Sequence, residues 1–497
     1  MLFNSIHFLI FFPIVMVMYW VIPKRTRYLW LLAASYYFYM SWNAKYAILI
    51  ALSTVLTYAS GLLLEQFTQQ GKADKYRKLV VAASFTVNLS ILLFFKYFTF
   101  LLDNLNAVIG RFSMQPVSVP FDIILPVGIS FYTLQALGYT VDVYRGDIRA
   151  EKNLLKYALF VSFFPQLVAG PIERSKSLLT QVDHLEEMRF SFPNLYTGLI
   201  EMIWGLFLKM VIADRVALLV DTVFDQYYRF GSVELIVGAV AFALQLYCDF
   251  SSYSIIAVGV ARTMGVTLME NFNAAYLAVN IRDFWKRNHV SLSTWFRDYL
   301  YIPLGGSRCS KARKNFNLMV TFVVSGFWHG ASWNFLIWGG LHGIYQIAET
   351  ALKPVADRFN ERFHVKTDCV SHHLWQVFRT FVLCDFALIF FRAPDLHSST
   401  AFIGRMLTRW DPWALFNGTL YTLGLERFEM NVLLVAFTVL LLMEIVKYRK
   451  HWTVSDFLIR QNMWFQYLAI IGLVFAIVIY GQYGAAFDAK AFIYFQF

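Results

Sequence analysis

Long apolar runs alternate along the chain with short polar stretches that carry most of its charge. A helix needs about 20 predominantly apolar residues to cross the hydrocarbon core of a bilayer. Runs near that length cover residues 5–22, 28–42, 46–64, 79–102, 123–143 and 153–170. Others cover 196–212, 233–260, 318–338, 375–391, 431–447 and 464–480. Some are short or polar-interrupted, so the pattern predicts about 11–14 transmembrane helices plus interfacial ones. The first run has no basic region ahead of it and no small-residue cleavage site behind it, which reads as a retained helix. No soluble domain or low-complexity tract interrupts the series. The expectation is an all-α polytopic membrane protein with one domain over 1–497. Its N-terminal helices occupy 1–120, the core motifs 121–345 and the C-terminal helices 346–497.

Composition strengthens this reading. Hydrophobic residues make up 58% of the 497 residues and charged residues 15%, against roughly a quarter charged in soluble domains. The 18% aromatic content suits membrane interfaces, where Tyr and Trp collect. The net charge of +11 does not imply nucleic acid, because the cations sit between apolar runs, as on cytoplasmic loops. Lys24, Arg25 and Arg27 follow the first run, and Lys72, Lys75, Arg77 and Lys78 the third. Arg145, Arg149, Lys152 and Lys156 follow the fifth, whereas 103–122 holds few charges. That alternation predicts an extracytoplasmic N-terminus. Lys447, Arg449 and Lys450 precede one last helix, which returns the C-terminus to the same side. Cys248, Cys309, Cys369 and Cys384 show neither disulfide nor metal-ligand spacing.

Residues 282–314 differ in kind. Arg282, Lys286, Arg287, Arg297, Arg308, Lys311, Arg313 and Lys314 alternate there with Phe284, Trp285, Leu292, Trp295, Phe296 and Tyr299. A basic amphipathic stretch lies in the membrane interface, and the residues alone leave open whether it binds lipid or a substrate. Pro303-Leu-Gly-Gly306 then makes a turn. Ionisable groups inside apolar runs are expensive, and two stand out. Asp249 is either functional or satisfied by neighbouring hydroxyls. His329, between Gly326 and Gly330 and beside Trp328 and Trp333, is either a base in a dry site or a histidine that bridges helices. Gly339 and Gly343 repeat the glycine spacing beside His342. There is no G-x-S-x-G elbow, P-loop or Cys/His metal cluster.

Five stretches then match a known family. They are Leu125-Pro-Val-Gly-Ile-Ser-Phe-Tyr132 with Asp142-Val-Tyr-Arg-Gly146, Phe164-Pro-Gln-Leu-Val-Ala-Gly-Pro-Ile-Glu-Arg174, and Asp249-Phe-Ser251. Next come Asp283-Phe-Trp-Lys-Arg-Asn-His289 through Arg297-Asp-Tyr-Leu-Tyr-Ile-Pro-Leu-Gly-Gly306, and Phe327-Trp-His-Gly-Ala331 with Trp338-Gly339 and His342-Gly343. The chain resembles the membrane-bound O-acyltransferases, in particular the bacterial branch that contains the alginate O-acetyltransferase membrane subunit. The resemblance implies a helical bundle with a central funnel or tunnel. It makes His329 the catalytic histidine and His289 a second one, toward the cytoplasmic side. It also implies an activated acyl donor from the cytoplasm, with the acyl group leaving on the opposite face. The chain departs from the family pattern at Asn288, Ser252 and Ile255, where Trp, Gly and Asp are usual.

The expected function is O-acetylation of a cell-surface polysaccharide, an alginate-like exopolysaccharide, at the bacterial inner membrane. His329 acts as general base, and His289, on the basic segment, is expected to meet the donor. Arg282, Lys286, Arg287 and Arg297 suit an anionic donor, with Trp328 and Asp249 as further substrate-binding residues. The donor is acetyl-CoA or another acyl thioester, and neither a metal nor a bound cofactor is expected. The bulky polymer implies a separate extracytoplasmic acetyltransferase as partner. Peptidoglycan O-acetylation and D-alanyl transfer to teichoic acid are alternatives within the class. A proton-coupled transporter is the alternative outside it, although the internal repeats common in transporters are not visible.

Overall fold

Helices form throughout the described residues and no strand occurs among them, as the apolar runs predict. The computed structural model describes residues 1–118 and 125–483. The start of the predicted run 123–143 and the C-terminal end therefore lie outside the described residues. The chain divides into two compact units, Met1–Leu199 with Ala257–Met269 and Ile200–Ile256 with Glu270–Phe497.

The first unit contains α1 (Ile6–Val21), α2 (Arg27–Met40), α3 (Ala47–Gln69), α4 (Asp74–Leu92), α5 (Phe98–Gly110) and α6 (Ile129–Arg145). It continues with α7 (Leu154–Ser162), α8 (Phe164–Leu167) and α9 (Ser175–Asp183). Helix α6 is buried on nearly every face, and polar side chains buried on it are paired, Gln135 with the Phe160 carbonyl and Asp142 with the Ser175 hydroxyl. Its neighbours make room for it: a Cβ on Gly61 of α3 would lie 2.6 Å from the Tyr139 hydroxyl. Run 153–170 does not form one spanning helix. Pro165 has no N–H to continue α7, so the chain turns at Phe163 and restarts with the proline in the first turn of α8, where no donor is needed.

Two helices, α10 (Phe192–Phe207) and α12 (Ser232–Thr263), carry the chain across the division. The second unit holds α11 (Asp214–Asp225), α13 (Ile281–Arg287), α14 (Val290–Phe296), α15 (Lys311–His329) and α16 (Trp333–Arg362). It ends with α17 (Val370–Arg392), α18 (Leu396–Thr408), α19 (Arg427–Lys450), α20 (Val454–Ile459) and α21 (Met463–Tyr480). Run 318–338 is a correction of the same kind: it is a hairpin, not one span. Helix α15 ends at His329, Gly330 is extended, and α16 starts after Ser332. The basic stretch is likewise not one amphipathic helix. It breaks between α13 and α14 at His289, and a π turn over Arg297–Tyr301 follows.

Six segments among the described residues are long and apolar enough to cross a bilayer: Ala44–Gln69, Asp74–Gly110, Ser232–Thr263, Val370–Arg392, Arg427–Lys450 and Met463–Tyr480. Helix α21 buries none of its side chains. Leu468 and Ile479 on it are 70% and 63% exposed, as suits a surface solvated by lipid tails rather than water.

Inside the second unit, the π turn Leu208–Ala213 after α10 carries Lys209. Its Nζ lies 2.8 Å from Asp214 Oδ1 and 2.6 Å from Asp249 Oδ1, with all three side chains buried. Removing one partner of a buried ion pair leaves an uncompensated charge, at roughly 3–5 kcal/mol. Lys209→Met should therefore lower the thermal stability of the detergent-solubilised protein by about that amount. Adding Asp214→Asn and Asp249→Asn should restore most of it. A Lys209→Met protein that unfolds at the wild-type temperature would contradict this.

Candidate active site

The hairpin of α15 and α16 places His329. A Cβ on Gly326 would lie 2.2 Å from the Phe335 carbonyl oxygen, and one on Gly339 would lie 2.3 Å from that of Phe322. Only glycine lets the two backbones approach so closely. Gly326 thus admits a helix, not a substrate. Gly330 is held the same way, since a Cβ there would meet the Phe335 ring at 2.0 Å. His329 is the last residue of α15 and is buried, with Nδ1 2.6 Å from the Ser325 carbonyl oxygen. A carbonyl only accepts, so Nδ1 carries the proton and Nε2 of the neutral ring keeps its lone pair.

His289 comes from the break between α13 and α14. Its backbone is left-handed, with φ 47°, a conformation that costs a non-glycine residue about 1–3 kcal/mol and clusters at functional sites. Asn271 holds it there. Asn271 Oδ1 takes hydrogen bonds from the Ser291 backbone N–H at 3.1 Å and the Ser291 hydroxyl at 2.9 Å, and its Nδ2 donates to Ser254 Oγ at 3.2 Å. The same Oδ1 lies 3.2 Å from His289 Nδ1. Since this oxygen accepts, His289 also carries its proton on Nδ1 and presents a lone pair at Nε2.

The two imidazoles are 6.2 Å apart between ring centroids. Trp328 lies beside both, at 5.0 Å from His329 and 6.2 Å from His289. A third histidine, His342, lines the same cavity, and its Nδ1 accepts from Trp285 Nε1 at 3.2 Å. Its neutral ring therefore carries the proton on Nε2, the opposite tautomer from the other two. The cavity is about 40 Å³ and walled by aromatic rings, including Phe250, Trp338 and Phe391. It is large enough to admit water or a group of similar width.

Of the other residues singled out by sequence, Arg282, Lys286 and Arg297 are exposed, and Arg297 is paired with Asp298 at 2.7 Å. Arg287 bonds Asp283 at 2.9 Å and lies over the Tyr448 ring. None of the four lines the cavity. Asp249 is bound to Lys209 and lies outside the cavity lining as well. Asn271, Trp285 and His342 were missed as site-forming residues. Trp285 and His342 carried a signal, since both lie in the stretches that match the family, whereas Asn271 carried none.

The chain thus combines helices long enough to span a bilayer with buried imidazoles that share one cavity, the arrangement of an integral membrane protein with a candidate acid–base site. The comparisons with known proteins agree. The model of the MBOAT, membrane-bound O-acyltransferase family, matches residues 147–391, which include both His289 and His329. The chain is 42% identical over 354 residues to a probable alginate O-acetylase of Pseudomonas aeruginosa, covering 71% of this chain and 66% of that protein. It is 39% identical over 419 residues to a probable alginate O-acetylase of Pseudomonas putida, covering 84% of this chain and 82% of that protein. A peptidoglycan O-acetyltransferase of Helicobacter pylori is 35% identical over 429 residues, covering 80% of this chain and 78% of that protein. The chain belongs to the membrane-bound O-acyltransferase family and is a multi-pass membrane O-acyltransferase.

Proposed function

We propose that this protein takes an acetyl group from an acyl thioester, acetyl-CoA or a related donor, at the cytoplasmic face of the bacterial inner membrane. It passes the group across for O-acetylation of a cell-surface polysaccharide of the alginate type. The observation that carries this reading is the pairing of His289 and His329 on one cavity of about 40 Å³. The names of the relatives, alginate O-acetylases and a peptidoglycan O-acetyltransferase, favour an acetyl group over a fatty acyl chain. His329 Nε2 takes the proton from the attacking hydroxyl, a role that contributes about 10²–10⁴ in rate. The names of the Pseudomonas relatives supply the polymer class. The exposed Arg282, Lys286 and Arg297 are suited to the anionic part of the donor.

The sequence holds no extramembrane segment long enough to build a cleft for a polysaccharide. A separate extracytoplasmic acetyltransferase therefore receives the acetyl group and completes the transfer. The alternation of basic clusters along the sequence supports a topology with both termini on the extracytoplasmic side.

Two measurements test this reading. Purified protein in vesicles should release thiol from a labelled acetyl thioester and yield acetylated polymer only when the partner is added. His329→Ala should lose at least about a hundredfold in rate. Movement of label without thioester cleavage, or full polymer acetylation without a second protein, would contradict the proposal. For the topology, a tag at Met1 should be accessible from outside intact cells and one inserted after Gln70 protected. The reverse pattern would overturn the orientation.

A further inference from the structure

Trp338 lies one turn before His342 on α16, so both side chains leave the same face of the helix. Its indole lines the histidine cavity. The ring centroid is 4.8 Å from that of His329, 5.1 Å from His342 and 5.2 Å from Phe391. The side chain is 5% exposed, and its Nε1–H meets no acceptor among the described residues. The neighbouring imidazole nitrogens with assigned partners are engaged elsewhere. His342 Nδ1 accepts from Trp285, and His329 Nδ1 donates to Ser325. Buried N–H groups are nearly always paired, and one that is not calls for an explanation. Here it belongs to an indole that lines the cavity in which a carbonyl oxygen must gain negative charge.

We infer that Trp338 Nε1–H is the hydrogen-bond donor to the acyl carbonyl oxygen during transfer. This rests on the acyl-transfer reading of the cavity. The attacking hydroxyl oxygen bonds to the thioester carbonyl carbon, its proton passes to His329 Nε2, and the carbonyl π electrons move onto oxygen. The resulting oxyanion then re-forms the carbonyl as the C–S bond breaks. The sulfur leaves with the bonding pair and takes the proton from His329, giving an ester and a thiol. The oxygen is most negative between these steps. A fixed donor among buried aromatic rings acts most strongly there, because it needs no reorganisation as the charge develops.

The test is acetyl transfer by Trp338→Phe across a donor titration. Losing one such donor lowers kcat by about 10²–10³. Because the interaction belongs to the transition state, KM for the donor should stay within about threefold. Replacing Trp338 with β-(3-benzothienyl)alanine, which keeps the ring shape and exchanges N–H for sulfur, should give the same loss. It decides the matter alone if the phenylalanine variant fails to fold. A benzothienyl protein that retains the wild-type kcat would show that only the ring's bulk matters and would overturn the inference. His329→Ala measured in parallel separates the two claims. If it is inactive while both Trp338 variants keep full activity, this inference alone fails. If His329→Ala is fully active, the reading of the cavity fails with it.

Discussion

Two helix backbones in near contact set the geometry on which the proposed chemistry depends. Gly326 and Gly339 let α15 and α16 approach until a single added Cβ would overlap a main-chain carbonyl. In a membrane, where lipid tails solvate side chains as well as protein does, close packing through small residues is a main source of helix–helix affinity. The hairpin this creates ends α15 at His329. It also brings Trp338 and His342 from α16 to the same cavity. A larger residue at either glycine would move all three groups together.

The second support is polar and local. His289 sits in a backbone conformation that favours glycine, and the Asn271 side chain bonds both the following segment and the imidazole. Strain at one residue is thereby held by a network that also selects its tautomer. Burial has a second consequence. Away from bulk water, the hydrogen bonds that fix each imidazole are stronger than they would be in solution. The Asp214–Lys209–Asp249 cluster shows the same principle away from the cavity, where charges are tolerated because they are paired.

Much of this was legible in the sequence, and the rest was hidden for identifiable reasons. Apolar runs located the spanning helices because hydropathy and length are the signals the bilayer imposes. The Phe-Trp-His-Gly stretch pointed to His329, and the basic segment to His289. The division of 318–338 into a hairpin was obscured because Gly330 and Ser332 are too small to interrupt the apolar pattern. His289 was expected at the interface because its neighbours in sequence are basic. The break at Asn288 turns it inward, and no periodicity reports a left-handed residue. Asn271 and Trp285 act through contacts to residues distant in sequence, which a linear pattern does not encode. The four cations suggested for the donor stand outside the cavity lining.

The central claim is that His289 and His329 serve one reaction as a unit. A double-mutant cycle on acetyl transfer, with His289→Ala, His329→Ala and the double variant measured at saturating donor, tests this most directly. Residues that act together give strongly non-additive losses. The account predicts that the double variant is no slower than His329→Ala alone. If the two losses multiply, the histidines act independently and the shared-cavity account is wrong.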